Sequence, residues 1–390
     1  MKDRTKITIL GGGVAGVSTA IALKLKGFDV TVYERHKAET NIGAGIVVWP
    51  NASYVLEKLG VLNCIKSISG VPAKMQRFSH TGESLGSIDI DAINEKMGYP
   101  SFSILRRDFQ RVLTSKLNEL GVFINYDHEV TQLQTKENKT SVYFKSGEII
   151  SADVVIGADG RMSSIARKHV TGKMNPVYQG FINWIGVIES SKKIFKSEGV
   201  SDFWGIGQRF GIVPISSGKA YWAGGIASKE IGKREPIHYK NELKKIFSAW
   251  PALVNEVIAQ TPTAQINKIY VHDHDPIKVW HKGNVIVIGD AAHAALPTSG
   301  QGACQALEDA WHLANCINNN STAGSAFTEF TQLRSEKTAN IIASGRGLAS
   351  SIFNSDPEYC KLRNENSKTT DYSLVAAGMA QAWGQNLLGV

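Results

Sequence analysis

Sulfur is scarce in this chain: four cysteines, Cys64, Cys304, Cys316 and Cys360, stand among 390 residues. Their spacing offers neither a metal-ligand pattern nor the density of a disulfide framework, so reduced thiols, no bound metal and a cytoplasmic setting are expected. Long apolar runs are missing as well. No stretch approaches the roughly 18 uncharged apolar residues of a membrane-spanning helix, so no stable membrane insertion is expected. The first strand pattern begins at Ile7, which leaves little length for a cleavable leader. Charge of one sign is only modestly in excess, with 43 Lys plus Arg against 35 Asp plus Glu. The cations are scattered and not interleaved with aromatics, which argues against a nucleic-acid partner and suits small anionic ligands. No Ser-His-acid cluster is evident.

What is present begins with enough apolar residues, 43%, for the cores of two domains. The most informative stretch is Lys6 to Glu34. Ile7 to Leu10 reads as a strand and enters Gly11-Gly12-Gly13-Val14-Ala15-Gly16; a helical pattern runs through Lys26, and a second strand ends at Glu34. This is a βαβ unit with a phosphate-binding turn. Gly11 permits the tight turn, Gly13 lets a pyrophosphate approach the backbone, and Gly16 lets helix and strand pack. The N–H groups of Val14 and Ala15 lie at the helix mouth, where a diphosphate binds. Glu34 is placed to accept hydrogen bonds from a ribose. Arg35 either stacks on an adenine or is solvated.

Further along, Gly43 and Gly45 would let the backbone lie against a flat ligand. Arg106 opens a helix expected from Phe109 to Leu120 and is placed to reach a cofactor, whereas Arg107 beside it is read as solvated. Val130 starts a short strand, and a charged turn follows at Lys136 to Lys139. Ala152 to Gly160 is a buried strand ending in Asp159, either a ligand contact or a helix cap. A second such strand, Val285 to Ile288, ends at Asp290. It leads to Pro297 and then to Gly300-Gln301-Gly302-Ala303, whose helix N–H groups are suited to stabilise negative charge. The remainder reads as helical from Phe327 to Ser350, with a loop near Asn354 to Thr369.

Between these parts, Tyr178 to Tyr270 is rich in aromatics and strand patterns, with little helix before Tyr239. It reads as a mostly antiparallel second domain. Arg209 embedded among Phe181, Trp204 and Trp222 is what a planar anionic substrate requires, although these aromatics also suit a plain core.

Gly11-x-Gly13-x-x-Gly16 with Glu34, then Asp153 to Gly160, then Gly289-Asp290 through Asp309, together resemble the single-component, group A FAD-dependent monooxygenases of the p-hydroxybenzoate hydroxylase type. That resemblance implies an α/β fold. A Rossmann-type FAD-binding domain (1–72, 101–175 and 276–345) would carry an inserted, mostly antiparallel substrate domain (73–100 and 176–275) and a C-terminal helical segment (346–390). It implies bound FAD, with NAD(P)H and O2 as co-substrates and oxygen transfer from the flavin C4a position. By position, Gly11, Gly13, Val14, Ala15, Gly16, Glu34, Arg35, Gly45, Arg106, Val130, Asp159, Asp290, Pro297, Gly300, Gln301, Gly302 and Ala303 would line the cofactor. His293 is expected to pack near the cofactor and not to act as a base. The middle segment resembles the substrate domain of the urate-hydroxylating members, which would place Arg209 and Tyr221 on a small aromatic or purine substrate. Alternatives are an epoxidase or hydroxylase of larger aromatic or polyketide substrates, and a flavin oxidase or dehydrogenase without oxygen insertion. A monomer or dimer is expected.

Overall fold

The computed structural model describes residues 5–38, 45–195 and 199–387. Its first layer is a six-stranded sheet in the order His281–Lys282, Val285–Val287, Val154–Gly157, Ile7–Leu10, Val30–Tyr33, Ile124–Asn125. All neighbours are parallel except the edge pair His281–Lys282 and Val285–Val287. Ile7, Ile9 and Leu10 are at most 1% exposed, the continuous burial expected of a parallel strand covered on both faces. The register pairs Leu10 with both Gly157 and Tyr33, so three strands end together at one carboxyl edge. Open α/β sheets bind ligands at such an edge.

A second, seven-stranded sheet runs in the order Asn267–Asp273, Val177–Glu189, Lys219–Ala227, Gln208–Ser216, Val200–Trp204, Lys74–Ser79, Ser84–Asp89. It is antiparallel apart from the pairing of Val200–Trp204 with Lys74–Ser79. The helices Tyr239–Ile246 and Ala252–Gln260 cover one face, where Trp184, Phe210, Trp222, Phe247 and Val254 form a core. Strand alternation sends Arg209, Gly211, Tyr221, Ala223 and Gly225 to the opposite face. Phe181, on that face, packs with Leu296, Ala349 and Phe353, so this face is turned toward the nucleotide-binding layer.

The chain closes with the helices Gly302–Asn319, Ala323–Ile352, Pro357–Thr369 and Tyr372–Gly384. The loop expected near Asn354 to Thr369 is therefore corrected to a helix. Asp356 caps it through a 2.9 Å bond from Glu358 N, and Pro357 sits in its first turn. The helix expected from Phe109 begins at Arg106, and the turn at Lys136 to Lys139 is formed by Glu137 and Asn138 with positive φ.

Candidate functional site

The glycines of the first turn divide by what surrounds them. A Cβ on Gly16 would lie 1.9 Å from the Gly11 carbonyl oxygen, and one on Gly11 would lie 2.2 Å from the Ala158 carbonyl oxygen. Gly13 faces open space, with nothing within 4 Å of that position. Two glycines thus let the backbone close on itself, while the third leaves its backbone open to approach. The helix Val14–Leu25 starts there without a side-chain cap or an acidic residue in its first turn, so its N–H groups and positive dipole end are available to a diphosphate. Gln110 braces the turn by donating to the Gly12 carbonyl at 2.8 Å, a contact that nothing in the local sequence signals.

Glu34 stands beside the turn, accepting from Gly12 N at 2.7 Å and from His36 N at 2.9 Å. Burial pushes its carboxyl up, but the bonds from His36 and Gly12 outweigh it and hold Glu34 below the ordinary range. His128 N donates to the Glu34 carbonyl at 2.8 Å, which brings the strand beginning at Val130 alongside. Arg35 bridges to Ser163 Oγ and to the Asp159 carbonyl, so it is neither simply solvated nor free.

Asp159 turns its carboxylate inward, where it accepts from Ser164 Oγ at 2.5 Å and from Ala166 N at 3.1 Å. The N-cap of the helix Ile165–Thr171 is Ser164, and Asp159 supports that helix start through Ser164 and the Ala166 N–H; burial raises the Asp159 pKa. That helix is tied to the next motif by Arg167, which donates to the Ala291 and Ala292 carbonyls at 2.9 Å. Asp290 opens the short helix Asp290–His293 and lies 3.8 Å from Arg161 Nε.

The two glycine motifs touch. A Cβ on Gly289 would lie 2.7 Å from the Ala15 Cβ and 3.8 Å from that of Ala306. Pro297 begins a one-turn helix that ends at Gly300, whose φ of +63° favours glycine. Trp49 Nε1 holds the Gly300 carbonyl at 3.0 Å. Gln301 is buried and accepts from Asn51 and Gln305, each at 2.9 Å, which fixes the mouth of the helix Gly302–Asn319. Gly302 faces open space, and Ala303 is half-buried beside it. Beneath this mouth, Glu308 and Asp309 pair with Arg334 and Lys337 in a fully buried network, and His293 Nε2 lies 2.5 Å from Asp309. His293 is engaged there by Asp309.

Arg106 is exposed at the start of its helix and has no bonded partner among the described residues, whereas Arg107 pairs with Glu189 at 2.7 Å. Gly43 lies outside the described residues. Gly45 does lie against a flat group, but that group belongs to the protein: a Cβ there would fall 1.7 Å from Tyr221 Cδ1.

On the sheet face above, Arg209 Nε donates to Asp202 Oδ1 at 2.6 Å, and Trp204 Nε1 donates to Oδ2 at 2.9 Å. Asp202 is buried, so the guanidinium is anchored while its terminal N–H groups remain free of partners among the described residues. Burial pushes the Tyr221 phenol well above its ordinary pKa, with Cys304 adding to the shift and Arg209 opposing it. Cys304 is pushed up to about 12, chiefly by burial. Of the aromatics read as possible pocket walls, Phe181 and Trp204 share the Arg209 face. Trp222 does not, because it neighbours Tyr221 on one strand and therefore points into the opposite core, where its Nε1 bonds Thr261. Among the described residues no group of His, Cys, Asp or Glu could hold a metal, and no helix is long and apolar enough to cross a membrane.

A model of the FAD binding domain family matches residues 4–328. The chain is 30% identical to an aurachin C monooxygenase/isomerase of Stigmatella aurantiaca, over 88% of both chains. It is also 30% identical to an FAD-dependent urate hydroxylase of Mycolicibacterium vanbaalenii, over 93% of both. The solved structure of Klebsiella pneumoniae HpxO complexed with FAD and uric acid superposes with a TM-score of 0.92 at 25% identity, covering 100% of this chain and 99% of that one. With open space beside the Gly13 backbone, an open helix mouth at Gly302 and similarity along nearly its whole length, this chain belongs to the FAD binding domain family and is a group A FAD-dependent monooxygenase.

Proposed function

We propose that the chain hydroxylates a small planar, anionic aromatic or purine, with urate the leading candidate, and uses NAD(P)H and O2 as co-substrates. The observation that carries this proposal is the shared sheet face of Arg209 and Tyr221, one anchored by Asp202 and the other packed on Gly45. Two similar proteins, the urate hydroxylase of Mycolicibacterium vanbaalenii and the Klebsiella enzyme solved with uric acid, support a purine.

Bound FAD supplies hydride acceptance and oxygen activation. The residues fitted to hold it are Gly11 to Gly16 at the diphosphate, Glu34 at the ribose, and Pro297 to Ala303 at the ring. Arg106, Val130, Asp159 and Asp290 frame the remainder, with Asp159 acting by holding its loop. The helix mouth at Gly302 offers N–H groups to negative charge on the ring. Arg209 pairs through its terminal N–H groups with an anionic edge of the substrate, a charge-assisted contact worth about 1.5 to 3 kcal/mol when desolvated. Tyr221 keeps its proton and donates a hydrogen bond beside it. The stacked rings of Phe181 and Phe353, 4.1 Å apart, together with Leu296, exclude water from this side.

The test is to measure NADH and NADPH oxidation with urate and with benzenoid acids, and to weigh the products. Substrate-dependent oxidation with gain of an oxygen atom supports the proposal; oxidation that yields only hydrogen peroxide points to an oxidase. Arg209→Ala should raise KM by about tenfold or more while FAD stays bound.

A further inference from the structure

The last helix, Tyr372–Gly384, lies far along the chain from the glycine turn at Gly300, yet two lines of contact join its end to adjacent residues of that turn. The first is aromatic. Trp383 is buried, and its ring centroid lies 4.7 Å from that of Trp49, with the planes inclined at 41°. Trp49 in turn donates from Nε1 to the Gly300 carbonyl at 3.0 Å. The second line is polar. The Trp383 carbonyl accepts from Lys337 Nζ at 2.7 Å, and the same ammonium binds Glu308 at 2.9 Å. Glu308 accepts from Asn51 at 2.7 Å, and Asn51 also donates to Gln301 at 2.9 Å. Gly300 and Gln301 are thus both reached from Trp383, one through its ring and the other through its carbonyl.

The turn is braced from its other side by Thr298, which donates to the Gly345 carbonyl at 2.8 Å. The Gly300 carbonyl is held by Trp49, whose Nε1 would lie only 3.2 Å from a Cβ on Gly300. A hydrogen bond of this kind depends on alignment, and an indole can turn about its two side-chain torsions. Packing against the ring is what keeps the N–H aimed, and Trp383 supplies it.

We infer that Trp383 is a positioning residue for the flavin, acting through Trp49 to fix the direction of the N–H groups at Gly300 to Gly302. The inference rests on the proposed placement of those groups at the ring, and it gives the C-terminal helix a part in the site. Fixed N–H groups favour reduced flavin, which carries negative charge, over the neutral oxidised form. Loosening the turn therefore weakens reduced FAD more than oxidised FAD. A residue that only supports the fold would not separate the two.

The experiment uses the FAD-loaded enzyme without substrate and reads the two-electron potential of the bound flavin, the dissociation constant of oxidised FAD and the unfolding midpoint. Trp383→Leu should lower the potential by about 30 mV, which corresponds to a tenfold greater loss of affinity for reduced than for oxidised flavin. Trp383→Phe keeps a ring against Trp49 and should retain most of the parent potential. Trp49→Phe loses the donor and should reproduce the shift, and adding Trp383→Leu to it should change the potential little further. If Trp383→Leu does not fold, Trp383→Met, which fills the space with an adaptable chain, is read by the same criteria. An unchanged potential with a lowered unfolding midpoint overturns the inference and leaves Trp383 a stabilising residue only. Additive shifts in the double variant, or a shift in Trp383→Leu that Trp49→Phe does not share, overturn the route through Trp49. Product mass from urate is measured separately on the parent enzyme, so the proposed hydroxylation can fail while the potentials still decide the role of Trp383.

Discussion

Tyr221 packs its ring against Gly45, so close that a single methyl group at Gly45 would fall 1.7 Å from Cδ1. The contact joins the substrate sheet to the short strand Gly45–Val48, which pairs with Phe102–Leu105 just before Arg106. Gly45→Val should expel the Tyr221 ring and raise substrate KM by about tenfold or more, whereas Tyr221→Phe, which keeps the ring and loses the hydroxyl, should cost less. Steady-state kinetics on both variants, with bound flavin quantified by absorbance, check the order.

Asp202 should matter to substrate binding without touching substrate. It fixes Arg209 through Nε and is itself held by Trp204. Asp202→Asn retains the size of the side chain but removes the charge that orients the guanidinium. A rise in KM of about tenfold with FAD affinity unchanged is expected, and the double variant with Arg209→Ala should be little worse than Arg209→Ala alone. Additive losses would show that the two residues act separately.

The C-terminal helices are held from within. Lys337 Nζ contacts both Glu308 oxygens, at 2.9 and 3.1 Å, and also the Trp383 and Gln385 carbonyls at 2.7 and 2.9 Å. Burial pushes the Glu308 carboxyl up, and Arg334 and Lys337 reverse this and hold it below the ordinary range. Lys337→Met leaves excess buried negative charge and should cost about 3 to 5 kcal/mol in denaturant unfolding. Adding Glu308→Gln should recover part of that loss.

His312 gives a pH dependence of defined sign. Its ring is buried with Nε2 unpaired, and burial, aided by Arg334, pushes its pKa from 6.5 down to about 4. Between those values the unfolded chain binds more protons than the folded one, so stability rises with pH through this window and is complete above 6.5. Stability of the parent should fall as pH drops from about 6.5 to about 4, and His312→Gln should flatten that slope. Unfolding midpoints measured across the window decide it.

The parts of the site that were legible in the sequence are those imposed by local sterics. Gly16 needs to be glycine because its backbone meets that of Gly11 five residues earlier, a need the spacing records, whereas Gly11 is crowded by the carbonyl of Ala158 on the neighbouring strand end. The inward direction of Trp222 was also within reach, since strand neighbours point to opposite faces and Tyr221 had been placed toward the substrate. The helix from Pro357 carried its start signal in Asp356-Pro357. The pairings of Asp202 with Arg209, Gly225 with Asn183 and Lys337 with Glu308 depend on strand register or helix packing. No local pattern encodes them.

The central claim is that a flavin held between the turns at Gly13 and Gly302 delivers oxygen to a planar anion held by Arg209 and Tyr221. The most direct measurement is the mass of the product formed from urate under isotopically labelled dioxygen, with NADH consumption followed in the same vessel. The expected result is one labelled oxygen atom per product molecule, formed in step with NADH oxidation and lost in Arg209→Ala. Protein that cannot be loaded with FAD, or NADH oxidation that yields labelled hydrogen peroxide and unchanged urate, would contradict it.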